Sequence, residues 1–82
     1  MSIYDPINRM LVASQAPSVT RSFAELEDLI GRPLPKSAYE YDAWWANEHP
    51  DNTTHSHSRA WTRAGYNAKA QRLKRMVTFC RK

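Results

Sequence analysis

Apolar residues recur along the chain at two spacings, and the change from one to the other predicts a small mixed α and β domain. Ile7, Met10 and Leu11 stand at i, i+3 and i+4 behind Asp5-Pro6, a capping residue followed by a proline suited to the first helical turn. That spacing predicts a short helix to about Ala13, broken by Gln15-Ala16-Pro17-Ser18. Val19-Thr20-Arg21 is β-prone and long enough for a short strand. Phe23, Leu26, Leu29 and Ile30 then form the apolar face of a second helix. Its start is marked by Ser22 and Glu25, the S-x-x-E capping box in which each side chain satisfies the other's orphaned backbone donor. Its end is marked by Gly31, with Pro33 and Pro35 preventing continuation.

Beyond Leu34 the pattern is less regular. Residues 36–39 suit one helical turn and Tyr41-Asp42-Ala43-Trp44-Trp45 another, and the polar stretch 48–57 around Pro50 predicts a loop. A further helix is expected from Thr54 or Ser56 to Ala64, with Ala60, Trp61 and Ala64 inward and Gly65 as its stop. The spacing then drops to two: Tyr66, Ala68 and Ala70 alternate with Asn67, Lys69 and Gln71. Residues 72–75 make a turn, and Met76-Val77-Thr78-Phe79-Cys80 is the most strand-like run in the chain, so residues 66–81 predict a β-hairpin. The whole chain, residues 1–82, is expected to be one compact α+β domain with three to four short helices and a C-terminal β-hairpin. That element order is winged-helix-like, with an unusually long connection at residues 32–54.

Charge sharpens this picture. Residues 1–51 contain all eight acids and four bases, whereas residues 52–82 contain eight bases and no acid, so the halves carry −4 and +8. Such asymmetry builds a positive field that suits a polyanion, although a solvated basic face would also keep a small protein in solution. The single Cys80 offers no internal disulfide, and no long apolar run follows Met1. Localisation is therefore expected to be cytoplasmic, with no membrane partner.

Catalytic chemistry finds little support. Cys80 lies in an apolar strand without a dyad, Glu40 and Asp42 do not pair, and Gly31 and Gly65 cannot form a phosphate-cradling loop. His49, His55, His57 and Cys80 lack the spacing of a structural zinc site. The expectation is a protein that is not an enzyme and needs no metal or cofactor.

The candidate site is a nucleic-acid surface. On the helix over residues 55–64, His55, Ser58, Arg59, Thr62 and Arg63 occupy the outward positions of a groove-reading helix; Arg suits bidentate contact with guanine and Ser or Thr suits phosphate. In the hairpin, Lys69, Arg72, Lys74 and Arg75 form a phosphate clamp, a role that coexists with blunting an exposed sheet edge. Trp61 and one of Trp44 and Trp45 are expected in the core, since aromatics dominate core area in so small a chain.

Several fragments together resemble a known family: Ser22-Phe23, Glu25, Leu29-Ile30-Gly31, Leu34-Pro35, Ser37-Ala38, then Tyr41, Trp44-Trp45, Asn47, Ala60-Trp61, Ala64-Gly65-Tyr66, Val77, Phe79 and Arg81. The chain is similar over nearly its whole length to a small domain of unknown function found in bacteria and their phages, alone or fused to other modules. The resemblance implies a family fold with the Trp pair in its core pattern. It implies no activity. The expected function is thus non-catalytic binding of nucleic acid, duplex DNA foremost, by a small regulator that acts alone, as a homodimer or with a protein partner. The alternative is a phage-encoded inhibitor of a host defence nucleoprotein complex such as a CRISPR effector, using the same basic surface. A third class is a single-strand or RNA binder that stacks bases on an exposed Trp.

Overall fold

The computed structural model describes residues 2–47 and 56–82. Helix α1 (Asp5–Ala13) is followed by strand β1 (Ser18–Ser22), helix α2 (Phe23–Ile30), the short helix α3 (Lys36–Glu40) and a 3₁₀ turn (Asp42–Trp45). Helix α4 (Ser56–Thr62), strand β2 (Tyr66–Gln71), a 3₁₀ turn (Arg72–Lys74) and strand β3 (Met76–Arg81) complete the chain. The class is α+β. The three strands form one antiparallel sheet in the order β1-β3-β2, so the most apolar strand takes the centre.

Local chemistry explains most element ends. The Ser22 hydroxyl accepts the Glu25 N–H at 3.0 Å and the Glu25 carboxylate accepts the Ser22 N–H at 2.9 Å, closing the expected capping box. These bonds also hold the Glu25 carboxyl below its usual range. Gly31 ends α2 at φ 76°, a left-handed conformation that glycine adopts without steric cost. At α1 the expectation shifts by one residue. Tyr4 sits at the N-cap and Pro6 in the first turn, while the Asp5 carboxylate reaches back to the Ser2 N–H at 3.2 Å. Helix α4 starts at Ser56 and ends at Thr62, two residues before the expected Ala64; Thr54 lies outside the described residues.

The helices cover one face of the sheet, against a row formed by Val19, Phe79 and Ala68 with Val77 beside it. An aromatic column fills the space between. Phe23 stacks on Trp45 (5.1 Å between centroids, 20° between planes), Trp45 on Trp61 (5.7 Å, 24°), and Trp61 meets Phe79 at 5.8 Å. Trp61 and Trp45 are buried, and Trp44 is half-buried with the His57 ring stacked on it at 4.1 Å. The long connection is thus not a loop throughout. Its first half folds into α3 and the 3₁₀ turn, which exist to deliver Trp45 to the column.

Asn47 has a role that its polarity hides. Its side-chain amide donates to the Ala68 carbonyl at 3.0 Å and accepts the Ala68 N–H at 2.6 Å, imitating one residue of a fourth strand along the outer edge of β2. Open edges invite pairing with other chains, so this single amide both satisfies and blocks the edge. Asn47→Ala should lower stability by about 1–3 kcal/mol, the cost of leaving partly buried backbone groups unpaired. Urea denaturation measures the loss, and light scattering should reveal more concentration-dependent association in the variant than in the parent.

Candidate functional site

The structure redistributes the basic half of the chain. Strand pairing sets Tyr66 opposite Arg81 and Gln71 opposite Met76. Arg81, Lys82 and the nearby Arg63 therefore gather at one end of the hairpin, and Arg72, Lys74 and Arg75 at the other. Five strand steps separate the ends, roughly 17 Å at about 3.4 Å per residue. What reads as one positive block is two clusters at opposite ends of the sheet.

Individual residues depart from expectation in instructive ways. Ser58 and Thr62, placed outward by the helical pattern, are buried at 2% and 5% exposure, and the Thr62 hydroxyl donates to the Ser58 carbonyl at 2.8 Å. The reason is geometric: α4 is clasped between α1 and β2, so its buried arc is wider than the Ala60 and Trp61 positions alone suggest. Asn8 of α1 closes that seam by donating to the Ala60 carbonyl at 3.0 Å. Neither Ser58 nor Thr62 can meet a ligand from these positions. Arg59 is half-buried, Arg63 is exposed, and His55 lies outside the described residues. The predicted groove-reading face contracts to Arg59 and Arg63.

Lys69 is exposed but stands on the sheet face opposite the helices, in register with Thr78 and Thr20. That face is mostly polar, carrying Ser18, Thr20, Thr78, Asn67 and Gln71 with Met76 and Cys80 on its central strand, and the Thr20 and Thr78 hydroxyls lie 3.0 Å apart. Lys69 is therefore separated from the α4 side of the molecule by the sheet itself.

Arg72, expected in the phosphate clamp, serves the fold instead. Its guanidinium forms an ion pair with Asp42 and donates to the Glu40 carbonyl at 2.9 Å. The hydrogen bond and charge of Arg72 hold the Asp42 carboxyl below its usual range, and Asp42 in turn raises Arg72. The pair is consequently ionised throughout the neutral range and fastens the hairpin turn to α3. A single charge-neutral latch results, leaving Lys74 and Arg75 as the turn's outward cations, both exposed.

Arg75 does two jobs at once. Its backbone is left-handed, φ 53° and ψ 47°, which closes the turn where a glycine would be expected; its N–H donates to the Arg72 carbonyl at 3.0 Å and its carbonyl accepts the Phe23 N–H at 2.8 Å. The guanidinium lies 5.5 Å from the centre of the Tyr39 ring, an attractive arrangement of a cation over an aromatic face. Tyr39 donates to the Glu27 carboxylate at 2.8 Å, which also accepts the Leu34 N–H at 2.8 Å. Burial and this carboxylate raise the Tyr39 phenol. The other cluster is pinned as well: Arg81 donates to the Ser14 carbonyl at 3.0 Å and to the Tyr66 hydroxyl at 3.1 Å.

Among the described residues, no three His, Cys, Asp or Glu side chains come together as metal ligands, and no helix is long and apolar enough to cross a membrane. Cys80 is an exposed free thiol. A shallow hollow beside the turn is lined by Asp42, Gln71, Arg72, Leu73 and Lys74.

Fold and surface together define a small α+β domain with a helix-backed three-stranded sheet and a basic hairpin turn. The family model described as Domain of unknown function (DUF7662) matches residues 4–82, and the chain belongs to that family. No curated protein and no solved structure matches it. The fragments that resemble the family prove to be structural where the geometry can be followed. Ala38 accepts the Trp45 indole N–H at 2.8 Å, Asn47 covers the sheet edge, Gly65 is left-handed at φ 85°, and Tyr66 donates to the Ala16 carbonyl at 2.9 Å.

Proposed function

We propose that this protein is a non-catalytic binder of duplex DNA, a winged-helix-like module of cytoplasmic location that grips phosphate chiefly with its hairpin turn. The observation that supports this reading best is the hairpin turn itself. It holds Lys74 and Arg75 exposed while Arg72 neutralises Asp42, the carboxylate nearest them in the hollow. The order of helix, strand, helix, further helix and hairpin, with strand order β1-β3-β2, is compatible with a winged helix in which residues 72–75 form the wing. Helix α4 would approach the groove with Arg59 and Arg63, and phosphate contacts would dominate over base reading.

Titration of a random-sequence 20-mer duplex, followed by fluorescence anisotropy at two salt concentrations, tests this directly. Three or four neutralised phosphates should give a log–log salt slope of about −3 to −4. Absence of binding at low salt would remove the duplex reading and direct attention to a protein partner.

A further inference from the structure

One apolar side chain stands out on the basic turn. Leu73 is 100% exposed, flanked in sequence by Arg72 and Lys74, with Arg75 one residue beyond. Turn geometry does not require it, because the left-handed position falls on Arg75 and any polar residue would serve at 73. Nor is the turn loose. It is closed by the Arg75 N–H on the Arg72 carbonyl, tied to the start of α2 through Phe23, and latched to α3 and its following turn through Arg72 with Asp42 and Glu40. A leucine is thus held out on a rigid mount, with exposed cations next to it.

We propose that Leu73 is a wedge that enters the minor groove and inserts between base pairs while Lys74 and Arg75 hold the flanking phosphates. The inference rests on the duplex-binding reading and adds to it a consequence for the DNA, which is bent. Three features favour base pairs as the occupant. The cations beside Leu73 complement phosphate. The carboxylate in the adjacent hollow, Asp42, is already paired with Arg72, which lessens its repulsion of an approaching phosphate. An apolar side chain beside cations is also a combination suited to unstacking a base step, because the wedge replaces stacking surface and the cations hold the backbone phosphates that border the opened minor groove. The rigid mount matters because a wedge on a mobile loop would yield before the stack does.

The test uses the whole chain and a duplex with a central TA step, the most easily unstacked kind. One strand carries 2-aminopurine at that step, and the two ends carry a fluorescence energy-transfer pair. With the parent protein, 2-aminopurine emission should rise and the ends should approach, corresponding to a bend of roughly 20–90°. Leu73→Ala, at a position with no packing to lose, should bind with an unchanged salt slope and lose both signals. Leu73→Met should restore them. Equal signals from the parent and Leu73→Ala would overturn the wedge while leaving phosphate binding intact. So would salt-sensitive binding by the parent with no bend. Leu73-dependent co-sedimentation with phosphatidylserine vesicles, alongside DNA signals that do not depend on Leu73, would overturn it in favour of a membrane surface. Failure of the parent to bind duplex at all would overturn the duplex reading and the wedge together, which separates that outcome from the others.

Discussion

Trp61→Ala should destabilise the domain by about 3–5 kcal/mol, the usual range for deleting a large aromatic from a core that cannot collapse around the gap. Trp61 is completely buried and stands between Trp45 and Phe79 in the aromatic column, so its loss opens a gap between the Trp45 ring and the sheet. A domain of this length has a total stability on the order of 4–12 kcal/mol, so the loss takes about a quarter of it or more and brings the variant to the point of unfolding at the low end of that range. A second variant isolates the cause. The Trp61 indole N–H has no hydrogen-bond partner among the described residues, a burden of about 1–3 kcal/mol. Trp61→Phe deletes that orphan donor along with some volume, and the two effects oppose each other. Its urea midpoint should lie close to the parent's, with Trp61→Ala far below. A melt of Trp61→Ala that matches the parent would refute the central place assigned to this ring.

Removing the exposed cations should leave the fold intact and flatten the salt dependence of duplex binding. The variant Arg63→Ala, Lys74→Ala, Arg75→Asn is chosen for the backbone as much as the charge, since asparagine tolerates the left-handed conformation at position 75 better than alanine does. Each lost phosphate contact should reduce the salt slope by about 1, so the slope should shrink by about 3. Affinity at low salt should fall about tenfold or more, uniformly across sequences, because phosphate contacts position a protein without selecting bases. Arg72→Ala is the informative contrast. It breaks the latch to Asp42 and Glu40, so it should loosen the turn and lower thermal stability before any effect on DNA can be assigned to charge. A triple variant that binds with the parent's affinity and slope would remove Arg63, Lys74 and Arg75 from the interface.

These variants also mark where the sequence was legible and where it was not. The capping box at Ser22 and Glu25, the left-handed Gly31, the period-two run of β2 and the apolar β3 each depend on chemistry within a few residues, and all were readable in order along the chain. The burial of Trp61 was readable too, because so short a chain has few large side chains to fill a core. The candidate site was far less legible. A helical pattern assigns an inner and an outer face but cannot tell how many neighbours clasp the helix, and the packing of α4 between α1 and β2 buried Ser58 and Thr62. A count of bases cannot show which are already committed: Arg72 belongs to Asp42, a partner thirty residues away in the chain. Asn47 gave no signal as an edge cover, since its partner Ala68 is set only by the fold.

The sequence by itself thus determined the α+β class, the order of elements, the aromatic core and the concentration of positive charge in the second half. Only the tertiary structure decided that this charge divides between two ends of a hairpin, that Lys69 faces away from the helices, and that Leu73 projects from a fastened turn. The division follows from range: capping, turn chemistry and periodicity act over one to four residues, whereas exposure, ion pairing and the sharing of a surface depend on residues that meet only when the chain closes on itself.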